Sequence, residues 1–243
     1  MSISRLLLKN KKTTAGMAAK LVTSQDLGSG SIVEFYPHLL SEQQADELFT
    51  NLTASTFWES RQLQIMGHSV TQPRLTAYFA DSPTLQYTYS GTTMHPRSWE
   101  ESPSVSHLKS LLESILPLPP TNISFNSCLI NYYRSGQDHL SWHSDNEPLY
   151  GPTPTIASIS LGCKRDFIFR ENANKTNKIT YSLGHGDVLV MKGAVQQHWQ
   201  HCVPKRKQCI GPRISLTFRT IVLPEHKERK KERKERGGVY VTQ

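Results

Sequence analysis

The spacing of apolar residues along this chain changes character near its middle. In the first half it is helical. Leu39–Leu52 brings Leu39, Leu40, Ala45, Leu48 and Leu52 near one another on one side of a helix, with Ser41 placed to cap it and Glu42 in its first turn. Val105–Leu116 repeats the pattern through Val105, Leu108, Leu112 and Ile115, and Pro117, Pro119 and Pro120 end it. From Asn126 onward the period becomes strand-like. Cys128–Arg134, Thr155–Leu161, Asp166–Arg170, Lys178–Leu183, Asp187–Met191 and Arg213–Val222 are short runs rich in Ile, Val, Tyr, Phe and Thr. Turn-prone segments separate them, among them Ser135-Gly136-Gln137-Asp138, Gly162-Cys163-Lys164-Arg165 and Gly184-His185-Gly186. Many short strands after a helix-bearing first part predict a mainly β domain with flanking helices, a double-sheet jelly roll with its helices on one face.

Size and charge refine this. The 243 residues suit one domain with tails, residues 27–224 flanked by segments 1–26 and 225–243. No run of about 18 apolar residues occurs, so no membrane span is expected. Residues 1–25 hold five basic residues and no acid, residues 225–243 seven basic and four acidic, and the body between them 16 of each. The tails are therefore expected to be cationic and disordered, with an attraction to polyanions. Lys227 to Arg236 reads as a nuclear-import or nucleic-acid-binding run. The basic, acid-free N-terminal stretch offers an organelle address, such as a mitochondrial one, as the alternative. The four cysteines, Cys128, Cys163, Cys202 and Cys209, show no paired framework spacing, which points to a reducing interior.

The candidate chemistry lies in the second half. His143 and Asp145 are two residues apart, so an extended segment turns both side chains to one face. With a second histidine they would make the two-histidine, one-carboxylate set that holds Fe(II) on one face of an octahedron and leaves other positions open. Composition leaves that histidine undecided between His185, His198 and His201. A zinc site from His198, His201, Cys202 and Cys209 is a weaker alternative, lacking the usual C-x₂-C pairs. Arg213 and Arg219 are six residues apart, on one side of a strand, with Leu216 and Phe218 opposite. Such a strand is expected to be half buried, and each guanidinium could fork onto a carboxylate of 2-oxoglutarate.

From about Leu52 to Leu223 the chain resembles the AlkB family of nucleic-acid demethylases, in particular its eukaryotic DNA-repair branch. The likeness is carried by Pro73-Arg74-Leu75-Thr76-Ala77-Tyr78, Tyr87-Thr88-Tyr89-Ser90-Gly91, Asn131-Tyr132-Tyr133, Trp142-His143-Ser144-Asp145-Asn146-Glu147-Pro148, Arg165-Asp166-Phe167, His198-Trp199-Gln200-His201 and Pro212–Arg219. It implies the double-stranded β-helix dioxygenase fold. It makes His143, Asp145 and His201 the iron ligands and leaves His198 to pack or hydrogen-bond around them. Asn131, Tyr133, Arg213, Thr217 and Arg219 would hold 2-oxoglutarate. Arg74, Tyr87, Tyr89, Ser90, Asn146 and Glu147 fall where the family meets the damaged base, Met66 falls where it carries an aromatic finger, and Lys205-Arg206-Lys207 falls on a loop that grips the DNA backbone. Ser215 stands where the family's terminal motif has Asn, and Asn146 where an acidic residue commonly follows the ligand Asp.

The reaction so implied is oxidative demethylation of N-alkylated bases in DNA by a monomeric enzyme. It would consume O₂ and 2-oxoglutarate and release formaldehyde, succinate and CO₂. Three rivals differ in one respect each: an RNA or single-strand demethylase with the same chemistry, a non-catalytic nucleic-acid-binding module on the same scaffold, and a sugar- or metal-binding jelly roll without catalysis.

Overall fold

The alternation in the second half of the chain becomes two facing sheets in the computed structural model, which describes residues 23–55, 57–116 and 124–222. In chain order the first part contains β1 (Thr23–Asp26), β2 (Ser31–Tyr36), α1 (Glu42–Thr53), β3 (Gln62–Ile65), β4 (His68–Thr71), β5 (Leu75–Ala80), β6 (Tyr87–Tyr89), β7 (Thr92–Met94) and α2 (Pro103–Ile115). The second contains β8 (Ser127–Tyr133), β9 (Leu140–His143), β10 (Ile156–Gly162), β11 (Arg165–Glu171), β12 (Lys178–Leu183), β13 (Asp187–Gly193), the short α3 (Val195–His198), β14 (Trp199–Val203) and β15 (Arg213–Arg219).

Seven strands form the larger sheet in the order β1-β2-β13-β10-β15-β8-β5, and four form the smaller as β12-β11-β14-β9. Two small hairpins, β3–β4 and β6–β7, stand apart from both. This is the expected jelly roll with helices. Period-two alternation explains how the larger sheet serves two purposes. On β15, Ile214, Leu216 and Phe218 join the core formed with Leu48, Leu52, Leu108 and Leu112 of α1 and α2. Arg213, Ser215, Thr217 and Arg219 take the other face, toward the smaller sheet. A second apolar cluster, including Phe167, Phe169, Met191 and Trp199, fills the space between the sheets.

Several sequence expectations are corrected. Strand β15 is buried along its whole length rather than half buried, because its polar face forms the interior of the sandwich. It also stops at Arg219, three residues short of Val222, where Ile221 donates its N–H to Asn126 Oδ1 instead of continuing a ladder. Helix α1 begins at Glu42, since Ser41 and Gln44 close a reciprocal capping box; Leu39 and Leu40 precede it, and Leu40 is buried from outside the helix. Thr23–Asp26, assigned to the N-terminal tail, pairs with β2 at the edge of the large sheet. The rest of both expected tails, with the candidate address signals, lies outside the described residues. Cys163 and Cys209 are joined as a disulfide with Cα atoms 6.6 Å apart, while Cys128 and Cys202 are free and buried. The turn after β10 and the loop before β15 run side by side, as the Cys163 N–H to Pro212 carbonyl bond shows. That adjacency is invisible in sequence.

Gly136 marks the tightest approach in that region. A Cβ there would lie 1.7 Å from the Arg206 carbonyl oxygen, which is backbone and cannot swing away. Gly136→Ala should therefore destabilise the protein by about 1–3 kcal/mol, the range for overpacking. A denaturant midpoint equal to that of the unsubstituted protein would show that the loop yields freely.

Candidate active site

The ladder between β9 and β14 sets His143 directly opposite His201 and then slips at a bulge between His201 and Val203. The two imidazoles lie 4.2 Å apart, centroid to centroid. Asp145 follows β9 without regular structure. One ligand atom from each of His143, Asp145 and His201 falls within 4.8 Å of the others, and these are the residues that group in this way among those described.

Each side chain is held by specific partners. His143 Nδ1 lies 2.9 Å from the Ser141 carbonyl, so this nitrogen carries the proton and Nε2 keeps its lone pair, 4.0 Å from Asp145 Oδ1. His201 is stacked on Phe167, with centroids 5.0 Å apart, and its Nδ1 is buried without a partner. Burial lowers the pKa of both imidazoles, that of His201 well below the ordinary histidine value, and so keeps them as neutral donors. Burial works against the Asp145 carboxylate, but Arg219, His143 and His201 together outweigh it and the pKa falls to about 2. Arg219 donates to Asp145 Oδ2 from Nε at 3.1 Å and Nη2 at 2.8 Å. Two neutral nitrogens and an ionised oxygen at this spacing suit a divalent iron.

Arg213 is placed differently. It is fully buried, stacks 5.3 Å from the Tyr133 ring, and donates one bond from Nη2 to Ser160 Oγ at 2.9 Å. Its Nε and Nη1 are buried and unpartnered. Burial, with Arg165 nearby, lowers its pKa to about 10. A guanidinium in this state lacks an anion, and a carboxylate would supply one. Arg213 stands behind the wall of a cavity of about 680 Å³ lined by Asn131, Tyr133, Thr217, Arg219 and all three members of the triad. Asn131 presents its Oδ1 to Arg74 Nε at 2.6 Å.

The same cavity is also lined by Arg74, Tyr87, Tyr89, Ser90 and Glu147. Tyr87 and Tyr89 are stacked, with centroids 5.3 Å apart and planes 17° from parallel. The Tyr87 hydroxyl donates to Glu147 Oε1 at 2.8 Å. Other sequence candidates lie elsewhere. Asn146 is exposed and does not line the cavity. Met66 is 95 % exposed at the tip of the β3–β4 hairpin, at φ +49°. Lys205 and Lys207 are exposed on the loop after β14, also outside the cavity wall, and Arg206 is paired with Asp166, at 2.6 Å from Nη2.

The alternatives for the metal fall away. His198 is exposed rather than packed around the ligands, and His185 Nδ1 accepts the Gly162 N–H at 2.7 Å in a distant turn. The zinc grouping is broken because Cys209 is joined to Cys163. Sequence reading missed Leu63 and Val70 on the hairpin, Ser158 and Met191 on the strands, and Gln196 on α3. Only the first four line the cavity. As small or apolar side chains they carry no chemical signature, and Gln196 lies in a segment with no strand or helix periodicity.

A jelly roll that offers iron a histidine–aspartate–histidine face, with a guanidinium behind it in need of an anion, is the frame of an iron- and 2-oxoglutarate-dependent oxygenase. The chain belongs to the 2OG-Fe(II) oxygenase superfamily, which it matches over residues 32–219, and within it to the AlkB homologues. Fe(II), 2-oxoglutarate and O₂ are the reactants of that class. The chain is 35 % identical to DNA oxidative demethylase ALKBH2 of Arabidopsis thaliana over 219 residues, covering 81 % of this chain and 68 % of that protein. It is 39 % identical to alpha-ketoglutarate-dependent dioxygenase alkB homolog 3 of Mus musculus over 200 residues, covering 79 % and 66 %. The match thus spans about two thirds of these relatives' own length. The solved structure of OsALKBH1 shares the fold, with a TM-score of 0.51 at 16 % identity over 82 % of this chain and 100 % of that one.

His143→Ala, Asp145→Ala and His201→Ala should each abolish Mn(II) binding measured by calorimetry, along with turnover. His198→Ala, altering an exposed ring, should bind the ion like the unsubstituted protein. The reverse ranking of His198 and His201 would overturn the ligand assignment.

Proposed function

We propose that this chain removes N-linked methyl groups from alkylated bases in DNA. The observation that carries the reading is the composition of one cavity, in which a stacked tyrosine pair and a carboxylate face the same space as the His143–Asp145–His201 face. A flat π-system fits against the Tyr87–Tyr89 pair. Glu147 Oε1 takes the Tyr87 hydroxyl, and its Oε2 is buried with no partner. An acceptor held there favours an amino group at purine C6 or pyrimidine C4, as in adenine and cytosine, over the carbonyl that guanine and thymine carry at that position. Methylation at adenine N1 or cytosine N3 also leaves the ring cationic, which suits an acidic wall. The names of the plant and human ALKBH2 relatives, 35 % and 33 % identical, point to the same polymer and reaction.

In this reading His143, Asp145 and His201 hold the iron. Arg219 steadies Asp145 and the near carboxylate of 2-oxoglutarate, while Arg213 takes the far one with Asn131, Tyr133 and Thr217 around it. Bound there, iron and 2-oxoglutarate would supply the O₂ activation, one oxygen atom passing to succinate as CO₂ is lost and the other to the methyl group, whose hydroxymethyl product would break down to formaldehyde and the unmodified base. The residues themselves position the base, exclude water and keep both imidazoles unprotonated. A base within a duplex must leave the stack to reach this cavity. Met66 stands at an exposed hairpin tip as an apolar wedge, and Lys205 and Lys207 supply phosphate contacts. Lys227–Arg236 would direct the protein to the nucleus.

Formaldehyde release from methylated oligonucleotides tests the reading. Duplexes bearing 1-methyladenine or 3-methylcytosine should be demethylated, and activity confined to RNA or to single strands would replace DNA repair with that alternative. Arg213→Lys should raise the KM for 2-oxoglutarate without weakening Mn(II) binding, because an ammonium cannot reproduce the fork. Arg219→Lys should impair both, since it also loosens Asp145. Replacing Lys205 and Lys207 together by Ala should flatten the log–log salt dependence of duplex binding by about 0.9 for each phosphate no longer neutralised. Arg206→Ala should add less, as Arg206 already pairs with Asp166. An unchanged slope in the double variant would remove the loop from the DNA interface.

A further inference from the structure

Asp145 is held from two sides, and only one of them is an arginine. The segment from Ser144 to Glu147 follows β9 but belongs to no strand or helix, so its backbone has no ladder to complete. The Asp145 N–H nevertheless has a partner, the side-chain Oε1 of Gln196, at 2.9 Å in a buried bond. Gln196 is 1 % exposed and stands on α3, five residues before His201. Its amide orientation follows from the contacts, because Oε1 must face the donor from Asp145. Nε2 then faces the sulfur of Met191, at 3.3 Å, on the cavity wall.

We propose that Gln196 is a positioning residue for the metal site. It ties the main chain of one ligand, Asp145, to the short segment that delivers another, His201. Arg219 fixes the carboxylate through Oδ2, and Gln196 fixes the backbone from which that carboxylate hangs. With both restraints Oδ1 stays on the histidine side. With the amide gone, a buried N–H loses its acceptor and the segment has to move to satisfy it. The three ligands would then no longer meet at one point in the unloaded protein, and metal affinity would carry the cost of reassembling them.

Two variants separate this role from simple packing. Gln196→Met keeps the length and volume but removes the acceptor, whereas Gln196→Glu keeps an accepting oxygen in either protonation state. Calorimetry with Mn(II) on the full chain should give a Kd about 10–100 fold weaker for Gln196→Met, the loss seen when a ligand's supporting hydrogen bond is removed. Gln196→Glu should bind Mn(II) about as tightly as the unsubstituted protein. Raising the metal concentration should restore most of the turnover of Gln196→Met, which a packing defect would not permit. Unchanged Mn(II) affinity in Gln196→Met, or an equal loss in Gln196→Glu, overturns the proposal. Should Gln196→Met fail to fold, amide exchange in the unsubstituted apoprotein decides. The Asp145 amide should exchange far more slowly than that of its exposed neighbour Asn146, and equal rates would show that the Gln196 bond does not restrain it.

Discussion

The buried ion pair between Arg219 and Asp145 is the interaction on which the centre of this molecule depends. Both side chains are almost wholly excluded from solvent, at 6 % and 3 % exposure. A charge in such a place needs a partner, and removing one member of a pair of this kind costs about 3–5 kcal/mol. The pair therefore sets the carboxylate's orientation. Oδ2 is committed to the guanidinium, and Oδ1 is left on the side of His143. Arg219 in turn is fixed by its place at the end of β15, opposite Ser127 of β8. The orientation of the ligand carboxylate is thus inherited from the larger sheet, although all three ligands sit on or beside the smaller one.

The two arginines of β15 share a face but not a situation. Arg219 has an anion in the protein and is kept firmly protonated by it. Arg213 has none, and burial with a second cation nearby pulls its pKa down to about 10. Tyr133 lies between Arg213 and Arg165, with its ring near both guanidiniums. Arg165 places both terminal nitrogens on the carbonyls of Ser135, Asp138 and Pro204 and leaves only its Nε without a partner. Arg213 makes one bond, to Ser160 Oγ, and its Nε and Nη1 stay unpartnered. One arginine is matched by a carboxylate of the protein, and the other is not.

Around this rigid centre part of the cavity wall is assembled from lighter parts. The β3–β4 and β6–β7 hairpins contribute Leu63, Val70, Tyr87 and Tyr89 without belonging to either main sheet. Two-stranded ribbons are only marginally stable alone, so contacts such as Tyr87 with Glu147 and Tyr89 with Gln72 fasten them to the sandwich. Elements with few anchors open at lower cost than the paired strands that carry His143 and His201.

The sequence by itself determined the chemistry and the layered architecture. The period-two runs predicted six strands within a residue or two of their observed bounds, apart from the early stop of β15 at Arg219. The family motifs singled out His201 among ten histidines. These features are local or motif-borne, so they survive the loss of spatial information. The short strands β1 and β2, the two hairpins, β9 and β14 were not legible, because runs of three to six residues are too short, or like β1 and β4 too uniformly exposed, to show a period. Only the tertiary structure decided that β15 is buried on both faces, that Cys163 meets Cys209, and that Arg206 spends its charge on Asp166. It alone placed Gln196 against Asp145, 51 positions away along the chain. Each of these is a pairing between distant segments, and nothing in the local spacing of residues records which distant segment will arrive.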